Sequence, residues 1–124
     1  MGSWDADELR AIGDAEELEI ASERRDGTMR PFATIWHVAV AGQLYVRSAY
    51  GPENGWFRRA AASGTGRIRA GGVERDVVFD VPPGIDHREL DEAYRRKYAN
   101  QPPQYVAPVV GDIAATATLR VNPR

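Results

Sequence analysis

The 124 residues predict an α+β fold, a small antiparallel β-barrel of six strands with three flanking helices. Three observations lead there. Consecutive β-rich runs are joined by tight turns at Gly42 and at Gly71-Gly72, which gives antiparallel pairing rather than alternating βαβ units. Two segments, at Asp5 and Asp86, open with complete helix-start signals. A sheet this short buries its inner face most easily by closing on itself, which also removes its edges.

The first helix lies within residues 1–15. Asp5 is its cap, Glu8 is the return half of a capping box, and Trp4 can staple onto Leu9. Leu9 and Ile12 mark its buried stripe. Glu17 to Ser22 alternates acidic and apolar positions, as a half-buried strand does, and Arg25-Asp26-Gly27 is a turn. Thr34 to Ala41 and Gln43 to Tyr50 form a hairpin around Gly42. A short helix starts at Glu53 or Asn54, carries Trp56, Phe57, Arg58 and Arg59, and stops at Gly64 or Gly66. Arg67 to Ala70 and Val73 to Val81 make the second hairpin. Pro82-Pro83-Gly84 breaks the sheet. The last helix spans 86–100, with Glu89 in the box position and Leu90, Ala93 and Tyr94 on one side. Gln101-Pro102-Pro103 reads as a linker and Ala115 to Val121 as the closing strand. The expectation is one domain over 1–124.

Composition narrows the chemistry. With no cysteine, disulfides, thiolate metal sites and a cysteine nucleophile are excluded, and the absence fits a cytoplasmic protein. No apolar run approaches the roughly 20 residues of a membrane helix, and no signal segment opens the chain. Met1-Gly2 lacks the hydroxyl residue of a myristoylation signal. The net charge of −2 hides an asymmetry: residues 1–23 hold eight acids against Arg10, and residues 47–75 hold six arginines against Glu53 and Glu74. A local basic zone in an acidic protein suits a small anionic partner better than a nucleic acid.

Catalytic signatures are sparse. His37 and His87 lack the spacing of a metal site, so no metal is expected, and Ser48 lacks a nucleophile elbow. There is no Walker-type phosphate loop, and Gly64-Thr65-Gly66 precedes a strand instead of the helix that a dinucleotide fingerprint needs. What remains is a constellation of Arg47, Ser48, Tyr50, Gly51, Trp56, Arg58 and Arg59. Gly51 permits close backbone approach, the amides after Asn54 point toward an anion, and guanidinium forks pair with phosphate or carboxylate. Tyr45, Tyr50 and Trp56 offer flat faces to an aromatic ring. The competing reading has Trp56 and Phe57 anchoring the helix, Arg58 and Arg59 solvated, and Arg47 stacked on Trp36.

At Thr34-Ile35-Trp36, Leu44 to Gly51, Trp56-Phe57-Arg58, Gly66 to Gly72, Tyr94 to Tyr98 and Tyr105-Val106 the chain resembles the split-barrel flavin-binding superfamily. That group includes pyridoxamine-phosphate-oxidase-like and deazaflavin-dependent nitroreductase-like proteins. More closely, the chain resembles a family catalogued as domain of unknown function 2255, over roughly Leu18 to Leu119. The resemblance implies a six-stranded split barrel and a homodimer that holds FMN or a deazaflavin coenzyme at the subunit interface. It carries cofactor binding to Arg47, Ser48, Tyr50, Gly51, Trp56 and Arg58. Deazaflavin-dependent relatives usually place a lysine and further glycines where this chain has Ala49-Tyr50-Gly51-Pro52, so Tyr50 fills part of the site.

Three functions stay open at this point. The first is a flavin- or deazaflavin-binding oxidoreductase with an unassigned substrate and no assigned catalytic residue. The second is a non-redox binding protein for an anionic metabolite that has lost the cofactor. The third is a cofactor-independent isomerase or cyclase using His37, Tyr45 or Tyr98 as acid or base.

Overall fold

The computed structural model describes residues 3–124; Met1 and Gly2, with the lipidation reading that rests on them, lie outside the described residues. Helix α1 (Ala6–Asp14) starts where the sequence places it, with the Asp5 carboxylate accepting from the amides of Asp7 and Glu8. Strands β1 (Leu18–Ser22), β2 (Ala33–Ile35), β3 (His37–Val40) and β4 (Gln43–Arg47) lead to helix α2 (Gly55–Ser63). Strands β5 (Thr65–Ala70) and β6 (Val73–Asp80) form the second hairpin, and helix α3 (His87–Lys97) follows, its Glu89 amide bonded to Asp86. Two single turns, α4 (Pro103–Val106) and α5 (Asp112–Ala115), flank a 3-10 turn at Ala107–Val109 before strand β7 (Thr118–Pro123).

All pairings are antiparallel, in the order β2-β1-β5-β6-β7-β4-β3. The sheet therefore has seven strands and not six. The predicted strand from Thr34 to Ala41 breaks at Trp36: Ile35 pairs with Leu18 on β1, while His37 pairs with Val46 on β4. One residue thus turns a corner between the two ends of the sheet, and the barrel is nearly closed. Three helices expand to five helical segments plus the 3-10 turn, because the stretch read as a linker and strand start coils into α4 and α5. Gly111, at φ +90°, separates the last two turns, and β7 begins only at Thr118.

Leu44 and Val46 point into the barrel core with Ile12, Leu18, Ile68, Leu119 and Val121. Each such side chain contributes about 1.5–3 kcal/mol on burial. Their neighbours on β4, Tyr45 and Arg47, face outward by the two-residue period of a strand. Helix α3 covers that outer face near β3 and β4, and Leu90, Tyr94 and Tyr98 pack there with Val38 and Val109. Close packing dictates Gly66: a Cβ on it would lie 2.1 Å from the Ala21 carbonyl oxygen across the β1–β5 pair.

Helix α3 also closes the seam between β2 and β3. The Tyr94 hydroxyl donates to the Trp36 carbonyl at 3.2 Å, and the His37 amide donates to the Tyr98 hydroxyl at 3.1 Å. Lys97 Nζ donates to the His37 carbonyl at 2.8 Å. Side chains do here what a neighbouring strand does elsewhere in the sheet. Among the described residues, no helix is long and apolar enough to cross a membrane.

Candidate functional site

At the end of β4 the chain leaves the sheet, and a cleft of about 330 Å³ opens between that exit, the Trp36 corner, the start of α2 and the 105–109 turn. Trp36, Tyr50, Trp56 and Tyr105 line it, with Thr34 and Asn54 as neutral polar members and Glu17 and Arg47 as charged ones. The Ser48 amide still bonds Ala117 on the approach to β7, and Gly51 closes a turn back to the Ser48 carbonyl at 3.4 Å. Tyr50 sits in that turn at φ +68°, a left-handed conformation unusual for a large side chain, and is 79% exposed. Gly51, at φ +101°, is buried against Ile113, where a Cβ would come within 3.2 Å of a side-chain methyl.

Arg47 is fully buried, and its guanidinium is saturated by the protein itself. Nε donates to Thr118 Oγ1 at 3.0 Å, and Nη1 donates to Asp91 Oδ1 at 2.5 Å and to the Val109 carbonyl at 2.9 Å. Nη2 meets His87 Nδ1 at 3.1 Å and the His87 carbonyl at 3.4 Å. Five contacts account for its five N–H groups. The aromatic ring beside it is Tyr94, at 5.6 Å, and not the Trp36 of the sequence reading. A residue proposed to grip an anion thus ties β4 and β7 to α3 and to the turn behind the cleft. His87 accepts from it, and burial, then the Arg47 charge, holds its imidazole below the usual pKa.

The other predicted residues separate. Tyr50 and Trp56 line the cleft together with Arg47, whereas Ser48 is buried and its hydroxyl donates to the Ala49 carbonyl at 3.3 Å. Gly51 supports the turn from behind. Arg58 faces the opposite flank of α2, where it joins Gly55, Arg59, Arg24, Arg25 and Arg30 around a broader basin of about 780 Å³. Nothing in the sequence marks Arg24 or Arg30 as part of a basin, and Arg25-Asp26-Gly27 reads there only as a turn. Trp36 and Tyr105 are visible in the resemblance but not as walls of the cleft.

The acid–base candidates lie elsewhere. His37 Nε2 is 2.6 Å from the Ile12 carbonyl, so it carries the ring proton and donates, leaving Nδ1 buried without a partner. Burial first, then the Lys97 charge, lowers its pKa to about 4. Lys97 is itself lowered to about 8 by burial. Burial pushes the Tyr98 hydroxyl well up, and it donates to the Glu16 carbonyl at 2.7 Å. His37 and Tyr98 seal the seam, Tyr45 packs with the α3 cluster, and none of the three lines the cleft. Among the described residues, no group of three His, Asp or Glu side chains could hold a metal.

The charge asymmetry of the sequence resolves into internal pairing. Arg75 meets Glu8 at 2.5 Å, Arg69 lies 3.3 Å from Glu19, and Arg67 meets Asp76 at 2.8 Å. With Arg47 on Asp91, four of the six arginines of the apparent basic zone are therefore neutralised, and two of their partners come from the acidic N-terminal segment.

A family model described as "Uncharacterized protein conserved in bacteria (DUF2255)" matches residues 8–121. No curated protein matches the sequence. Among solved structures, a putative pyridoxamine 5'-phosphate oxidase from Listeria innocua superposes with a TM-score of 0.63 at 10% identity, covering 95% of this chain and 91% of that one. An F420-H2 dependent reductase gives 0.62 at 13% identity, with 86% and 94% covered. A FAD-binding protein from Mesorhizobium loti gives 0.52 at 17% identity, with 99% and 92% covered. At these identities the likeness shows the fold, which is the split barrel.

Proposed function

We propose a function from the premise that this chain belongs to the DUF2255 family and has the split-barrel fold. The reading is a flavin- or deazaflavin-binding oxidoreductase whose planar ring enters the cleft beside Trp56. One observation carries it: the cleft sets Trp36, Tyr50, Trp56 and Tyr105 around a single hollow, with Thr34 and Asn54 as neutral polar groups beside Glu17 and the internally bonded Arg47. Its volume is at the small end of the roughly 300–1,000 Å³ typical of ligand pockets, which suits a ring more than a whole dinucleotide. Solved proteins of this fold include a FAD-binding protein and an F420-H2 dependent reductase, and these support the choice of ligand.

The residues fit a ring and not its phosphate. Trp56 and Tyr50 would bound the faces, and Thr34 and Asn54 would offer hydrogen bonds to the edge. Arg47 would have to break its bonds to Asp91 and His87 before it could serve an anion. A bound flavin-type cofactor supplies hydride transfer; the protein's part is to hold, orient and shield it. Tyr50, Tyr105 and Ile113 are 79%, 55% and 67% exposed, and this apolar rim suits a second copy of the chain, as a homodimer.

The test is titration of the purified protein with FMN, FAD and a deazaflavin while tryptophan emission is followed. Saturable quenching in the wild type, weakened about tenfold or more in Trp56→Ala, is the expected result. Absence of saturation with all three cofactors sinks the reading. The saturated Arg47 favours one alternative, a non-redox protein that binds a small aromatic metabolite in the same cleft. Light scattering with and without ligand checks the homodimer.

A further inference from the structure

The chain carries fifteen arginines, since Lys97 is the single lysine among its 16 basic residues. Eight of them make ion pairs with a carboxylate: Arg10, Arg47, Arg67, Arg69, Arg75, Arg95, Arg120 and Arg124. Of the remaining seven, five converge on one place, the basin on the far flank of α2 lined by Arg24, Arg25, Arg30, Arg58 and Arg59. Among the described residues, only Arg88 and Arg96 are unpaired outside the basin, so the unpaired arginines are concentrated in it. Like charges gathered this way repel one another unless an anion is present.

The single carboxylate on the basin wall does not discharge them. Glu23 accepts from Thr65 Oγ1 at 2.7 Å and from Arg124 Nη1 at 2.9 Å, bonds that hold its carboxyl below the usual pKa range. Arg24 donates to Thr28 Oγ1 and to the Met29 carbonyl, which fixes the loop that carries Arg25 and Arg30. Among the described residues, no side-chain hydrogen bond engages Arg25, Arg30, Arg58 or Arg59. At the rim, Asn54 makes no side-chain bond to the first turn of α2, so the amides beside Gly55 remain open.

We propose that this basin is a second binding site, separate from the cleft, for a compact polyphosphate of the pyrophosphate or nucleoside diphosphate class. Guanidinium forks match phosphate oxygens two at a time, and several forks facing one bounded hollow suit more than one phosphate group. A basin of about 780 Å³ has room for such a ligand. A polynucleotide fits less well, because the arginines close around one hollow in a chain of net charge −2 and do not form a stripe. The proposal does not depend on a cofactor in the cleft.

Calorimetric titration of the full chain with sodium pyrophosphate in 50 mM salt tests it. Saturable binding is expected, weakened roughly tenfold or more in Arg58→Ala/Arg59→Ala and again in Arg25→Ala/Arg30→Ala. Arg88→Ala/Arg96→Ala removes two unpaired arginines outside the basin and should bind as the wild type does. All the substituted side chains except Arg30 are exposed, and circular dichroism melts confirm that each variant folds. No saturation at millimolar pyrophosphate, equal binding by the basin variants, equal loss in the Arg88/Arg96 control, or tighter binding of a single-stranded RNA oligomer than of pyrophosphate overturns the proposal. Flavin titration reads the cleft separately, so either site can fail without the other.

Discussion

The Arg47 guanidinium and the Asp91 carboxylate meet at 2.5 Å, one side chain fully buried and the other 16% exposed. The pair joins the outer face of β4 to α3. Because Asp91 Oδ1 also accepts from the Gly111 amide at 3.2 Å, the same carboxylate fixes the turn behind the cleft. Removing Asp91 leaves a buried cation without its counter-charge. Asp91→Ala should therefore destabilise the protein by about 3–5 kcal/mol, measured by urea denaturation. A loss below about 1 kcal/mol would show that water reaches Arg47.

Between pH 6.5 and about 4 the stability should fall. His37 is neutral in the fold and takes up its proton only near pH 4, whereas in the unfolded chain it does so from about 6.5 downward. The unfolded state therefore binds more protons in that window, and acid favours it, by on the order of 3 kcal/mol in all. His87 is lowered too and acts with the same sign. In His37→Gln, whose amide can still donate toward the Ile12 carbonyl, the midpoint should depend much less on pH over that range. An unchanged slope would remove His37 as the cause.

Two glycines should respond very differently to alanine. At Gly66 the new methyl meets the Ala21 carbonyl oxygen at 2.1 Å, and backbone cannot step aside inside a strand pair. Gly66→Ala should cost at least about 3 kcal/mol or prevent folding. At Gly42 nothing lies within 4 Å, and only φ +77° opposes the substitution. Gly42→Ala should cost about 1–2 kcal/mol in a thermal or urea melt. Comparable losses at both sites would mean that β1 and β5 lie farther apart at Gly66.

Tyr50 holds a left-handed backbone that asparagine tolerates better. Because the side chain is exposed, Tyr50→Asn should raise stability by up to about 1 kcal/mol. The same change takes one flat face from the cleft and should weaken flavin quenching. A variant that is more stable and binds a ring as well as the wild type would place Tyr50 outside the site.

What the sequence made legible is what depends on near neighbours. The caps at Asp5 and Asp86 and the turn at Gly71-Gly72 can be read within a few residues, and the structure has them all. The break at Trp36 could not be read, because Thr34 to Ala41 is uniformly β-prone and the break exists only because β1 and β4 claim its two halves. Arg47 was legible as a residue of the strand end, but nothing in the chain names Asp91, 44 residues on, as its partner. The basic zone was visible as a count. Which arginines are quenched by Glu8, Glu19 and Asp76 and which stand open on the flank of α2 depends on three-dimensional neighbours alone.

The hydroxyls of Tyr94 and Tyr98 and the ammonium of Lys97 have a consequence beyond closing the barrel. An unoccupied strand border is where a stray polypeptide recruits a folded protein into fibrils or swapped aggregates. Here the polar groups at Trp36 and His37 are already engaged by the molecule's own helix. Intruding chains would first have to pry that helix loose, so the place where the cylinder is incomplete is also where it is guarded.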